Sequence, residues 1–125
     1  MTEIQALLLI KSILESADIH GIENILAEDC EYMSTGRGII GRNRNESIEF
    51  LSSMTESIKA DNVPVTCKVM HITDVYEEDA LFHEGRHGLT VSYESSDNYV
   101  YMIFVDVNDK GLVDRIVSSQ ENYSI

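Results

Sequence analysis

Tyr99-Val100-Tyr101-Met102-Ile103-Phe104-Val105-Asp106-Val107-Asn108-Asp109-Lys110-Gly111-Leu112-Val113 is the stretch that decides the fold. Residues 99–107 are mostly β-branched or aromatic, the side chains that fit a pleated surface, so they are predicted as a strand. Asn108-Asp109-Lys110-Gly111 reads as a hairpin turn, with Gly111 where a positive φ is favoured. Residues 112–119 return as the partner strand. Upstream, 65–76 and 80–93 are two more runs rich in Val, Thr, Ile and Tyr. The acidic turn Glu77-Glu78-Asp79 joins them, and 94–98 makes the next turn. The second half is thus a four-stranded meander.

The first half is helical. Ile4, Leu7, Leu8, Ile13, Leu14 and Ala17 recur at helical spacing over 3–17, and Thr2 with Gln5 makes a capping box. After a break at Asp18–Gly21, Ile22, Ile25 and Leu26 predict a second, shorter helix ending near Glu28. Cys30–Ser34 reads as a short strand. Gly36, Gly38 and Gly41 mark turns around a very short strand. Asn43 with Glu46 starts a third helix with Ile48, Leu51, Met54 and Ile58 on its apolar face, and Pro64 confirms that it has ended. Helices followed by antiparallel strands mean an α+β domain with helices on one face of a curved sheet. Residues 1–125 read as a single domain, without repeat or linker, and 43% apolar with 25% charged residues is a globular balance.

Nine basic residues against 22 acidic ones give a net charge of −13. That disfavours nucleic acid and anionic membrane as partners, since phosphate binding needs positive potential. Cys30 and Cys67 form no disulfide framework and read as buried free thiols in a reducing compartment. The N-terminus lacks a basic leader region, and no later run is long enough to span a bilayer, so a cytoplasmic protein is expected.

Three further segments carry a resemblance. They are Ile25-Leu26-Ala27-Glu28-Asp29-Cys30-Glu31-Tyr32, then Gly41 ahead of Ser47-Ile48-Glu49-Phe50-Leu51, and Val105-Asp106-Val107-Asn108-Asp109-Lys110-Gly111-Leu112-Val113. In their order and spacing the chain resembles the nuclear transport factor 2-like superfamily, which includes SnoaL-like and ketosteroid isomerase-like proteins, over nearly its whole length. The resemblance implies a cone-shaped, curved, mixed or antiparallel sheet of cystatin-like type, with the three N-terminal-half helices packed on its concave face. It also implies a pocket between helices and sheet. Ketosteroid isomerase-like members carry a proton-shuttling carboxylate, an oxygen-binding tyrosine and a second acid there. At the matching positions this chain has Ser34 and Ile103, and residues 1–31 contain no tyrosine. Steroid-isomerase chemistry is therefore not expected. Fold alone leaves function open.

Strand parity selects candidate site residues. Lys68, Asp74 and Arg86 are charged and even-numbered, so odd positions of the middle strands should face inward. That puts Cys67 and His71 on one inward row, His83 and His87 on the next, and Tyr101 and Ile103 beyond, with Tyr32 and Ser34 from the first strand. With the turn centred on Glu78, His71 pairs near Gly85, roughly 7–8 Å diagonally from His83 and His87. His71, His83 and His87 are candidate acid–base groups, against the plainer reading of exposed or structurally satisfied rings. His83 and His87 on one strand stand about 13 Å apart, too far to share a zinc ion without a bulge, so no metal or other cofactor is expected. Arg37, Arg42 and Arg44 form a basic island that reads as anion-binding or as surface pairing.

Val100, Met102 and Phe104 on the even face of the strongest strand are apolar too, which implies cover on both sides. A homodimer through the outer sheet face, common in the superfamily, would supply it. Three functions remain open. The first is a pocket for a small, mostly apolar ligand lined by Tyr32, Ser34, Cys67, Tyr101 and Ile103. The second is a histidine-dependent lyase or isomerase. The third is an acidic protein-binding module such as an immunity protein.

Overall fold

A computed structural model describes residues 1–35, 37–61, 64–71, 85–93 and 100–121, with backbone alone at Asp61, Tyr93, Val100, Tyr101, Gln120 and Glu121. Helix α1 spans Glu3–Ser16 and α2 spans Arg44–Asp61. The strands are β1 (Leu26–Ser34), β2 (Gly38–Gly41), β3 (Val65–His71), β4 (His87–Tyr93), β5 (Val100–Val107) and β6 (Val113–Glu121). They form one six-stranded sheet in the order β2-β1-β6-β5-β4-β3. Pairing is antiparallel throughout except between β1 and β6, which run parallel. Both helices cover one face, α1 over β3, β4 and β5, and α2 over β1 and β2. No helix among the described residues is long and apolar enough to cross a membrane.

Both helix starts follow their local chemistry. Thr2 Oγ1 accepts from the Gln5 N–H at 3.2 Å, and Gln5 Oε1 accepts from the Thr2 N–H at 2.9 Å. Asn43 Oδ1 accepts from the Glu46 N–H at 2.9 Å, and the Glu46 carboxylate reaches back to Asn43 and Arg42. These reciprocal bonds satisfy backbone donors that a helix start leaves orphaned.

The predicted second helix is not one. Ile22–Asn24 makes a single 3₁₀ turn, and the chain is already in β1 at Leu26, so among the described residues there are two α-helices rather than three. The reason is tertiary. The Val113 N–H donates to the Ile25 carbonyl at 2.8 Å, and Leu26 pairs with Val113, so β6 draws this segment into the sheet before a second helical turn can form.

One face of α1 is apolar throughout, and the periodicity named only part of it. Ala6, Leu7, Ile10, Ile13 and Leu14 are buried. Ile4 and Leu8, expected in the core, are 41% and 49% exposed, and Leu9 is 42% exposed.

Strand parity holds in the middle of the sheet. Cys67, Leu89, Val91, Ile103 and Val105 are buried, whereas Lys68 and Met70 are exposed. On β1 and β6 the even residues Cys30, Tyr32, Ser34, Ile116 and Ser118 are buried with them. Register differs from expectation by two residues. His71 pairs with His87 and not with Gly85.

Two backbone positions give tests of opposite sign. A Cβ on Gly88 would stand 2.7 Å from the Phe104 ring. Gly88→Ala is therefore expected to cost about 1–3 kcal/mol, lowering Tm by about 3–5 °C per kcal/mol. Adding Phe104→Leu should recover part of that loss. Ala17 ends α1 in the left-handed region at φ 53°. Ala17→Gly should stabilise the fold by about 1 kcal/mol. Thermal unfolding of the variants checks both signs.

Candidate functional site

The inner sheet face is built row by row. Ser34, Ser118, Ile103, Leu89 and Val69 lie in register across β1, β6, β5, β4 and β3. In the adjoining row the Tyr101 backbone pairs with Val91, which pairs with Cys67. The register thus brings Tyr32, Ser34, Cys67 and Ile103 to one face. The Tyr101 side chain lies outside the described residues.

Beneath α2 this face is polar within an apolar core. The Tyr32 ring stacks on Phe50 with centroids 5.5 Å apart, and its hydroxyl donates to Met54 Sδ at 3.3 Å. The Ser118 hydroxyl, which sequence reasoning missed, is a polar neighbour of the phenol. Ser34 and Ser118 are each 8% exposed and Tyr32 2%. Burial pushes the Tyr32 phenol above its ordinary pKa, partly offset by the nearby Ser118 hydroxyl. Ser47 Oγ donates to the Cys30 carbonyl at 2.8 Å and holds the start of α2 on β1. Ile103 has no exposed surface, so the helices close over this floor.

Both cysteines are free and buried. Desolvation raises each thiol to about 11, with neighbouring carboxylates adding to the effect and, at Cys30, the Ser47 hydrogen bond opposing it. Neither thiol has thiolate character at neutral pH. The Cys67 N–H donates to Glu15 Oε2 at 3.2 Å, tying the end of α1 to β3. The Glu15 carboxyl is lowered mainly by its hydrogen bond from Lys11, and then by this N–H.

A second cluster stands at the opposite end of α1. The His71 and His87 rings are 5.1 Å apart between centroids. His71 Nε2 lies 3.2 Å from the Gly85 carbonyl, so the neutral ring carries its proton there and leaves Nδ1 as the basic atom. Glu3 Oε1 accepts from the His87 N–H at 2.8 Å and lies 3.6 Å from His87 Nδ1. The pairing of a carboxylate with an imidazole is an orienting arrangement for proton transfer. Glu3 was invisible to sequence reasoning, because only the fold carries it to β4. His83 lies outside the described residues. Among the described residues no three histidine, cysteine or acidic side chains converge as metal ligands.

On the outer face, one of the three apolar residues is covered by its own chain. Phe104 is 3% exposed within its own chain. Arg86 Cζ lies 5.8 Å from the Phe104 ring centroid, and its Nη2 donates to Asp106 Oδ1 at 2.7 Å and to the Val105 carbonyl. Gly88, lacking a side chain, leaves the ring its space. Phe104 is therefore not the bare interface residue that the apolar pattern implied. Met102 is half-buried, and the Val100 side chain is not described. In the basic island, Arg42 lines a cleft of about 470 Å³ with Arg115 and the carboxylates of Asp29, Glu31, Asp106 and Asp114. Arg44 lines another of about 710 Å³ with Lys110 and the carboxylates of Glu28, Asp29 and Asp109. In both clefts the positive charge is matched or exceeded by carboxylates, which favours surface pairing over anion binding.

No protein-family model and no curated protein matches the chain. Solved structures with the same fold include an NTF2-like protein of unknown function from Mesorhizobium loti, with TM-score 0.64 and 11% identity over 98% of this chain and 96% of that one. An uncharacterized protein with a cystatin-like fold from Silicibacter pomeroyi aligns at TM-score 0.63 and 13% identity, covering 94% and 74%. An LEH-like epoxide hydrolase from M. tuberculosis aligns at TM-score 0.57 and 15% identity, covering 95% and 82%. At such identities the likeness establishes the fold and leaves activity open.

The buried phenol and thiols give a direct test. Tyr32 holds its proton more tightly folded than unfolded. Its stabilising contribution is therefore complete below about pH 10 and is lost as pH rises through the higher folded value. In an alkaline titration followed by phenolate absorbance, one of the six tyrosines should ionise late or only with unfolding. Tyr32→Phe should remove that step. Cys30 and Cys67 should react slowly with a disulfide reagent in the native state and readily in denaturant.

Proposed function

We propose that this chain, a domain with the nuclear transport factor 2-like fold, binds a small, mostly apolar molecule bearing one hydroxyl or carbonyl oxygen. The site is the inner sheet face beneath α2, with Tyr32, Ser34 and Ser118 as polar contacts and Ile103 and Cys67 as apolar ones. The observation that carries this reading is the Tyr32 hydroxyl, buried and donating to a thioether, a weak acceptor. A hydroxyl taken out of water costs free energy unless it is well bonded. Phenylalanine would fill the same volume without that cost. A ligand oxygen replacing Met54 Sδ would give the phenol a better acceptor. Phe50 and Met54 cover the floor, and methionine adapts its shape readily, so entry requires displacement of these two side chains rather than refolding.

A second reading has its own observation. The Glu3 carboxylate beside His87 Nδ1, with His71 next to it, suits His87 as a general base at the rim of the same face. In that reading the domain is a lyase or isomerase, and His87→Ala abolishes turnover while leaving ligand binding intact.

Binding is tested by thermal shift with cyclohexanone, camphor and menthol, alongside native mass spectrometry of the protein as purified. A ligand at a hundredfold over its Kd should stabilise the fold by about 2.7 kcal/mol. Tyr32→Phe, which keeps the ring, should weaken binding by about 1 kcal/mol, or roughly fivefold. A bare chain mass together with no shift from any probe overturns the proposal, as does unchanged affinity in Tyr32→Phe.

A further inference from the structure

The ladder between β3 and β4 sets two imidazoles side by side. His71 ends β3, His87 begins β4, and the two are direct partners in the antiparallel register. Such partners share a face of the sheet. Their ring centroids are 5.1 Å apart and their planes tilted by 46°. Each ring has one nitrogen committed elsewhere. His71 Nε2 lies 3.2 Å from the Gly85 carbonyl, which can only accept, so the proton sits on that nitrogen and the lone pair on Nδ1. His87 Nδ1 lies 3.6 Å from Glu3 Oε1, and a carboxylate at that position favours the proton on Nδ1 and the lone pair on Nε2. His71 is exposed and His87 half-buried, so both rings meet solvent.

We infer that His71 and His87 are the two protein ligands of a borderline divalent transition cation, Cu²⁺ above all, with water completing its coordination. A metal-bound imidazole is held in one tautomer, and aimed, by a carbonyl or carboxylate behind its far nitrogen. Both rings have that support here, His71 from Gly85 and His87 from Glu3. The ring spacing agrees. With metal–nitrogen bonds of about 2.0–2.1 Å, two imidazoles on one tetrahedral or square-planar ion have centroids roughly 4.5–5.2 Å apart. Imidazole nitrogens favour Cu²⁺, then Ni²⁺ and Zn²⁺, over Mg²⁺ and Ca²⁺, which take oxygen ligands. Charge permits a cation at this corner. Arg86 lies 2.7 Å from Asp106 and 4.0 Å from Glu3, so two carboxylates balance its charge. The chain as a whole carries −13, which raises the local cation concentration. Glu3 is a positioning residue and not a third ligand, since no three such side chains converge among the described residues. Sequence reasoning set His83 and His87 along one strand and found the span too long. The ladder supplies a partner across strands instead. This site is separate from the apolar floor beneath α2 and does not depend on it.

Titration of Cu²⁺ into the full chain, followed by calorimetry and electron paramagnetic resonance, tests this. The wild type should bind Cu²⁺ with a spectrum of paired imidazole nitrogens, and excess Mg²⁺ should not displace it. His71→Gln and His87→Gln, each checked for folding by circular dichroism, should weaken binding about a hundredfold by removing the chelate. Glu3→Gln still offers an oxygen to the His87 N–H. It should keep the two-nitrogen spectrum while weakening binding about tenfold. His20→Gln, beyond the other end of α1, should bind like the wild type. A wild-type spectrum without paired nitrogens overturns the inference, as does unchanged affinity in His71→Gln, His87→Gln or Glu3→Gln. Loss of binding in His20→Gln overturns it too. So does displacement by Mg²⁺, which would assign the cation to surface carboxylates.

Discussion

β1 and β6 lie side by side in the sheet and run parallel, while every other neighbouring pair joins consecutive strands in antiparallel fashion. This one ladder holds the domain together. It brings together residues 84 positions apart, as at Glu31 and Arg115, whose side chains also meet at 3.3 Å. On one side of it stands the unit of β1, β2 and α2, and on the other the meander β3–β6 under α1. Neither unit closes a core alone. Closing so long a loop costs chain entropy, which burial of Tyr32, Leu26, Val113 and Ile116 at the seam offsets.

The seam is also where the core departs from what stability alone would select. Ser34 and Ser118 face each other in register, and the Tyr32 hydroxyl sits above them against Met54. A core of Phe and Ala at these places would avoid the desolvation of three hydroxyls. Packing here is dense, but the covering side chains Phe50 and Met54 belong to α2, which the Ser47 bond to Cys30 holds at its first turn. Rigid anchoring at one end with an adaptable methionine further along is a combination suited to admitting a guest without losing the fold.

The other end of the sheet is organised by charge. Glu3 on α1 accepts from the His87 N–H, and Arg86 reaches from the start of β4 to Asp106 on β5 while lying over Phe104. These contacts fasten the start of α1 to the strand ends and cover Phe104 on the outer face from within the chain, while Met102 beside it stays half-buried.

The starts of α1 and α2, the turn at Asn108–Gly111 and strand parity were legible from near neighbours in the chain. Thr2 with Gln5, Asn43 with Glu46 and Asn108–Gly111 act through bonds between residues a few positions apart, so their chemistry is written locally. The alternation that placed Cys67, Ile103, Tyr32 and Ser34 on one face is equally local, because a strand repeats every two residues. Long-range pairing decided the rest. Residues 25–28 became strand because Val113 supplied a backbone partner. His71 met His87 because the ladder between β3 and β4 fixes their register. Phe104 was covered by Arg86 from β4's entry, and Glu3 reached His87 across 84 positions. The inward face of α1 was local too, since Ala6, Leu7, Ile10, Ile13 and Leu14 are all apolar while Lys11, Ser12, Glu15 and Ser16 interrupt the side that carries Leu8. Only the tertiary structure decided which strands that face covers, because β3, β4 and β5 reach it from far along the chain.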